Sequence, residues 1–253
     1  MNILLLGSGK FFKNFLNLYF ESNLSEINIF CFTDEKFIKQ YKEKYKNIKF
    51  STINSYKEDE QEIKKEIKKN KIDLILSIQY KWIISEEILK LMNNKIINFH
   101  NAKIPEYRGH HSLTYEILNE EPFHTCTIHW IDKFVDQGTI IMTKSFKIEK
   151  NETAYSLLKK SLEAGSILLK DLLFNIKSIS NNIEGERITS KGKFYSKKDI
   201  EKIKAIKNDF DFCKLEKISR ACYCPPFEPA YLINKGKKIY LLPENYEFKE
   251  KNE

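Results

Sequence analysis

Four short apolar runs, residues 2–6, 27–33, 49–53 and 72–78, alternate with stretches that read as helices at 11–20, 35–45 and 57–70. Apolar runs of this length, separated by helical patterns, predict strands buried on both faces and joined by helical crossovers. A parallel pair needs such a crossover, and successive crossovers place helices on both sides of one sheet. The expected fold class is therefore α/β: a Rossmann-like, doubly wound, mostly parallel sheet. Ligands of such sheets bind beyond the carboxyl ends of the strands. Segments 7–10, 77–82 and 98–101 are expected to lie there.

The first strand runs into Gly7-Ser8-Gly9, but the third position after Gly9 is Phe12, so a full dinucleotide fingerprint is missing. A turn of this kind is either plain topology or a place where backbone approaches a ligand. Further along, residues 151–174 hold an amphipathic helix with Thr153 as its cap. Leu157, Leu158, Leu162, Ile167, Leu168 and Leu172 form its core stripe. From residue 185 the character changes to short strand-like pieces at 193–195, 230–233 and 238–242, with a candidate helix at 199–206. The expected organisation is a main domain, 1–184, and a small C-terminal antiparallel β extension, 185–253.

The 253 residues carry 43 Lys+Arg against 35 Asp+Glu, a net charge of +8. The lysines are spread along the chain rather than gathered in a patch. That fits a Lys-rich composition or affinity for anionic small substrates, and no nucleic-acid partner is expected. Cys31, Cys126, Cys213, Cys222 and Cys224 fit neither a zinc spacing nor a disulfide framework, so no metal is expected. The start, MNILLLGSGK, is too short an apolar run to span a membrane and lacks a signal-peptide pattern. No later run reaches membrane-spanning length, so a soluble, cytoplasmic protein with no membrane partner is expected.

The densest chemistry falls in residues 96–140, IINFHNAKIPEYRGHHSLTYEILNEEPFHTCTIHWIDKFVDQGTI. Asn98 and His100 are two apart on a strand end, so their side chains share a face. Asp136 comes from the loop after the next strand, read at 125–131. An Asn amide is a neutral donor for an oxyanion. A His can donate to the same oxygen or move a proton, and a neighbouring Asp orients the ring. No Ser or Cys stands poised as a nucleophile, which suits acyl transfer directly between two substrates.

The ordered set Asn98-Phe99-His100, Ile104-Pro105, Tyr107-Arg108-Gly109, Thr127-Ile128-His129 and Val135-Asp136-Gln137-Gly138-Thr139-Ile140-Ile141 resembles the folate-dependent formyltransferases. That family includes methionyl-tRNA formyltransferase, glycinamide ribonucleotide formyltransferase and the nucleotide-sugar N-formyltransferases. The resemblance implies that Asn98, His100 and Asp136 are the catalytic triad and that 10-formyltetrahydrofolate is the co-substrate. Many relatives carry Ser or Pro directly after the His and Leu before the loop Pro; this chain has Asn101 and Ile104 there.

The segment 218–232, ISRACYCPPFEPAYL, looks like one found in nucleotide-sugar N-formyltransferases, where an Arg-Ala pair precedes a Pro- and aromatic-rich turn. The segment 185–253 is too short for the tRNA-binding barrel of methionyl-tRNA formyltransferase. The resemblance therefore implies formyl transfer to the amine of a nucleotide-linked sugar, a dTDP-linked 3- or 4-amino-dideoxyhexose by preference, for surface glycan synthesis (O-antigen, capsule or lipooligosaccharide). It implies folate contacts at Ser77, Gln79, Tyr80 and Asp132. Substrate contacts are expected at Gly9, Lys10, Lys81, Arg108, His110, His111, Tyr223 and Phe227. Tyr223 and Phe227 are natural platforms for a base, and Lys81 could meet a phosphate. Small tails in relatives imply a homodimer. Formylation of methionyl-tRNA, or a formyltransferase-like fold kept as a binding module, are the alternatives.

Overall fold

A computed structural model of the chain describes residues 1–206 and 211–246. The elements β1 (Asn2–Gly7), α1 (Gly9–Glu21), β2 (Asn28–Thr33), α2 (Glu35–Tyr41), β3 (Lys49–Thr52), α3 (Tyr56–Lys69), β4 (Leu74–Ile78), α4 (Glu86–Leu91) and β5 (Ile96–His100) alternate without exception. The strands lie in the sheet order β3-β2-β1-β4-β5 and pair in parallel. After β6 (Arg108–Gly109) and α5 (Ser112–Leu118), the strands β7 (Phe123–Trp130) and β8 (Ile140–Lys147) extend the sheet antiparallel beside β5. The chain therefore forms a mostly parallel, seven-stranded doubly wound sheet, as the apolar runs predict.

Each buried strand feeds two cores because successive side chains face opposite sides. Ile3 and Leu5 of β1 join Phe11, Phe15 and Leu16 of α1 on one face. Leu4 and Leu6 join Ile63 and Ile67 of α3 and Ile88 of α4 on the other. The first face is closed by α6 (Ala154–Asn181), 28 residues long, which runs seven residues past the expected end at residue 174. Thr153 caps it: its side chain accepts from Ser156 N–H, and Ser156 Oγ accepts from Thr153 N–H. Of the predicted stripe, Ile167 departs, at 48% exposed.

The remaining described elements are β9 (Phe194–Tyr195), α7 (Asp199–Lys204), β10 (Ala205–Ile206), α8 (Phe212–Cys222), β11 (Tyr231–Asn234) and β12 (Lys237–Tyr240). They form a small sheet, β10-β11-β12, with β11 and β12 antiparallel and β10 parallel to β11. The expected helix at 199–206 ends at Lys204 and turns into β10. The helix α8 is an addition to the sequence reading: it packs Ala221 against Ile117 of α5 and Leu157 of α6. Within the expected extension, residues 207–210 and 247–253 lie outside the described residues. A second link is the two-residue parallel pairing of β6 with β9, which lays Phe194 and Tyr195 along Arg108 and Gly109.

Candidate active site

The carboxyl ends of β1, β4 and β5 are neighbours, so the three expected ligand segments meet along one edge. Beyond the ends of β4 and β5 lies a cavity of about 500 Å³. On β5, Ile97 and Phe99 are buried in the core, which turns Asn98 and His100 to the opposite face, into the cavity wall. Asp136 enters from the loop between β7 and β8. That loop folds back closely on β7: a Cβ on Gly138 would sit 1.6 Å from the Trp130 carbonyl oxygen. Only glycine permits this approach.

The polar contacts fix the protons. His100 Nε2 lies 2.8 Å from the Tyr107 carbonyl oxygen, which can only accept, so Nε2 carries hydrogen. His100 Nδ1 faces Asp136 Oδ2 at 3.8 Å, too long for a hydrogen bond. The ring is thus oriented by the Tyr107 carbonyl, not by the carboxylate as the sequence reading expects. Asp136 Oδ2 accepts from Gly109 N–H at 2.9 Å. Asn98 Nδ2 donates to His129 Nε2 at 3.1 Å, and His129 Nδ1 donates to the Trp130 carbonyl at 2.9 Å. Burial pushes the Asp136 carboxyl up, but the His100 ring beside it and the Gly109 N–H outweigh it and hold it well below the usual carboxylate range.

Ser77, Gln79, Tyr80, Lys81, His110, His111 and Asp132 line the same cavity. Gln79 Oε1 accepts from Phe11 N–H at the start of α1. Lys81 Nζ donates to the Asn54 carbonyl and lies over the Trp82 ring. Asp132 Oδ1 accepts from Phe134 N–H. Burial, then the Lys197 charge, lowers the His110 pKa; burial, then His110, lowers that of His111.

Five expected contacts fall outside the cavity lining. Gly9 packs beneath the Gln79 side chain, and Lys10 lies next to it at the start of α1. Arg108 is turned into the protein, where Nη1 donates to the Val135 carbonyl and the guanidinium faces Phe194; it braces the Asp136 loop. Tyr223 is buried edge-on to Tyr155, so its ring offers no open face for a base. Phe227 is 67% exposed on the turn after α8. Burial pushes the Cys224 thiol of that turn up, and the Lys10 charge at the start of α1 opposes it, so the two lie near each other.

The sequence reading misses several wall residues. His129 pairs in register with Asn98 and is 1% exposed; its alternation on β7 with Thr127 is the signal that could have found it. Phe134 lines the cavity two residues from the expected Asp132, while Trp82 lines it as the last residue of the expected segment 77–82. Phe194 and Lys197 reach it only through the β6–β9 pairing, which leaves no periodicity to read. Among the described residues no group of three or more His, Cys, Asp or Glu side chains is placed to hold a metal.

Against known proteins, the family described as formyl transferase matches residues 1–173. The chain is 25% identical over 169 residues to a GDP-perosamine N-formyltransferase of Brucella melitensis biotype 1, covering 67% of this chain and 64% of that protein. The chain thus spans less than two-thirds of that relative's length. A sugar N-formyltransferase structure from Shewanella sp FDAARGOS_354 superposes with a TM-score of 0.78 at 21% identity, covering 98% of this chain and 99% of that one. A Helicobacter canadensis N-formyltransferase in complex with folinic acid and dTDP-3-aminofucose gives a TM-score of 0.70 at 22% identity, covering 94% and 85%.

Proposed function

The chain belongs to the formyl transferase family, and from that premise we propose that it moves a formyl group to the amine of a nucleotide-linked sugar. The donor in this reading is 10-formyltetrahydrofolate, which supplies the activated formyl group. The acceptor is a dTDP-linked 3- or 4-amino-dideoxyhexose, and the product serves a surface glycan. The enzyme works as a cytoplasmic homodimer in this reading, with residues 1–184 carrying the chemistry and 185–253 completing the acceptor side.

One observation carries the proposal: Asn98, His100 and Asp136, from β5 and the β7–β8 loop, share one cavity wall with the carboxylate held ionised. The cavity also fits a folate. Tyr80, Trp82 and Phe134 give it ring surface, and Asp132 and the Asn98 amide give it polar groups that can pair with a pteridine. The Helicobacter canadensis neighbour, with its folate and dTDP-sugar ligands, supports the choice of both substrates.

The chain's own groups account for the transfer. Asn98 spends one amide hydrogen on His129 and has a second to give. His100 has committed Nε2–H to Tyr107, so it donates to a developing oxyanion through Nδ1, as the imidazolium that Asp136 stabilises. Two donors then face one oxygen as it gains charge. Asp136 is the base placed to take the proton that the attacking amine gives up, directly or through one water. Lys197 lines the cavity on the side of the extension, where its charge can meet a diphosphate and the rings of His110 and His111 can add hydrogen bonds.

The test is mass spectrometry of the acceptor after incubation with 10-formyltetrahydrofolate and, in separate tubes, dTDP-4-amino- and dTDP-3-amino-dideoxyhexoses, a GDP-linked amino sugar and methionyl-tRNA. The expected outcome is a formyl adduct on a dTDP sugar. Asn98→Ala and His100→Ala each lower the rate by about a hundredfold or more, with circular dichroism unchanged. Formylation of methionyl-tRNA alone would overturn the sugar assignment.

A further inference from the structure

Behind His100 lies a buried polar cluster that the transfer chemistry does not use. Glu116 on α5 and His124 on β7 are 1% and 0% exposed. They meet at 2.7 Å between Oε2 and Nδ1. The other ring nitrogen, Nε2, lies 3.2 Å from Oδ1 of Asn101, the residue directly after His100. Asn101 Nδ2 donates to Ser161 Oγ on α6 at 3.2 Å. Ser112 Oγ, at the start of α5, donates to the Asn101 carbonyl at 2.9 Å. Asn101 therefore ties the end of β5 to α5, β7 and α6 at once.

The donors in this cluster are determined. Ser161 gives its hydroxyl hydrogen to the Leu158 carbonyl, so toward Asn101 it accepts. That puts the Asn101 nitrogen on Ser161 and its oxygen on His124. An amide oxygen only accepts, so His124 must carry hydrogen on Nε2. Cys126 Sγ donates to the same oxygen at 3.2 Å; burial, and less strongly Glu116, pushes that thiol up to about 12, so it keeps its hydrogen. Glu116 shares one proton with His124 Nδ1 and so leaves Nε2–H as the group aimed at Asn101. Without Glu116 the ring can place its hydrogen on Nδ1, and the bare Nε2 would then face the Asn101 oxygen, two acceptors in opposition.

Stability does not explain the pair. Glu116 Oε1 is buried with no hydrogen-bond partner among the described residues. A buried carboxylate with an unpaired oxygen is costly, and apolar replacements of buried ion pairs are often neutral or stabilising. We infer that Glu116 and His124 are positioning residues, which lock the tautomer that holds Asn101 and thereby set the place of the His100 ring in the transfer site. The inference rests on the assignment of His100 to transfer.

The test uses the whole chain labelled with ¹⁵N-histidine, its ring resonances assigned by single His→Gln replacements. Glu116→Gln keeps a donor toward Nδ1; Glu116→Leu does not. In wild type and Glu116→Gln, His124 is expected to show hydrogen on Nε2, with His100 resonances in the same place. In Glu116→Leu, the His124 pattern changes and the His100 resonances move. In turnover, kcat of Glu116→Leu falls about tenfold to a hundredfold, since small misplacements of a reacting group cost that much. KM for folate stays near the wild-type value and Glu116→Gln restores the rate. His100 resonances unmoved in Glu116→Leu, or a Glu116→Gln protein as slow as Glu116→Leu, would overturn the inference. Should Glu116→Leu not fold, Asn101→Ala decides by the same His100 readout. Wild type that formylates no nucleotide sugar defeats the proposed acceptor, yet leaves the ring resonances to decide this point.

Discussion

At Asp136, opposing effects are resolved by proximity. Burial pushes the carboxyl up, but the His100 imidazole and a backbone N–H hold it ionised. Its folded pKa lies below the unfolded value near 3.9. Its contribution to stability is therefore present above the unfolded pKa and lost as pH falls through the folded one. Asp136→Asn is expected to be less stable than wild type at pH 7, with the gap closing below about pH 4. Urea unfolding across that range measures it, and a gap that stays constant down to pH 3 would show that the charge has no such role. In activity, Asp136→Asn loses the base and the charge beside His100 together. That Asn98, His100 and Asp136 meet at one cavity wall is legible in their order along the chain, with Pro, Gly and Thr markers around them. The Tyr107 carbonyl that orients His100 was not legible, since any residue supplies a carbonyl.

The elements were legible where burial is symmetrical. β1 and β4 are apolar runs because helices cover both their faces, so they announce themselves; β5, with Asn98 and His100 on the cavity side, was placed by its motif. β8 is not legible as a strand, because none of its side chains is fully buried, although Ile141, Met142 and Phe146 pack on the edge of the core. The helix α8 was hidden by the Pro-rich turn that follows it. The longest helix, α6, presses closely on α1 and β5 at Gly165, where a Cβ would lie 2.5 Å from a Phe11 ring carbon and 2.9 Å from one of Phe99. Gly165→Ala is expected to cost about 1–3 kcal/mol through overpacking, which thermal unfolding would record as about 2–4 °C per kcal/mol. Phe99 lies between Asn98 and His100, so the displaced ring should lower the transfer rate as well. An unchanged melting temperature would mean that α6 shifts freely on its seat.

For the molecule as a whole, the cavity is a joint product of the large sheet and the C-terminal elements. No helix among the described residues is long and apolar enough to cross a membrane. The exposed Phe227 turn stands near Lys10, and Gly9 beside it packs under Gln79 of the cavity wall. A nucleotide leaving the cavity past Gln79 and Lys10 would bring its base to that ring. Phe227→Ala is then expected to weaken dTDP binding by about tenfold, since stacking is worth about 1–3 kcal/mol. Calorimetry with dTDP and, separately, with folinic acid measures it; folinic acid binding should be unchanged. Equal dTDP affinity in the variant would confine the nucleotide to the cavity.

The short pairing of β6 with β9 has a consequence for how such a protein can diversify. It puts Phe194 and Lys197 at the rim while the triad sits on β5 and the β7–β8 loop. On the proposed function, reactivity and choice of recipient are then written on separate stretches of chain, joined by two residues of backbone. If that function holds, a lineage could rewrite Phe194 and Lys197 for a new acceptor and leave Asn98, His100 and Asp136 untouched at every stage.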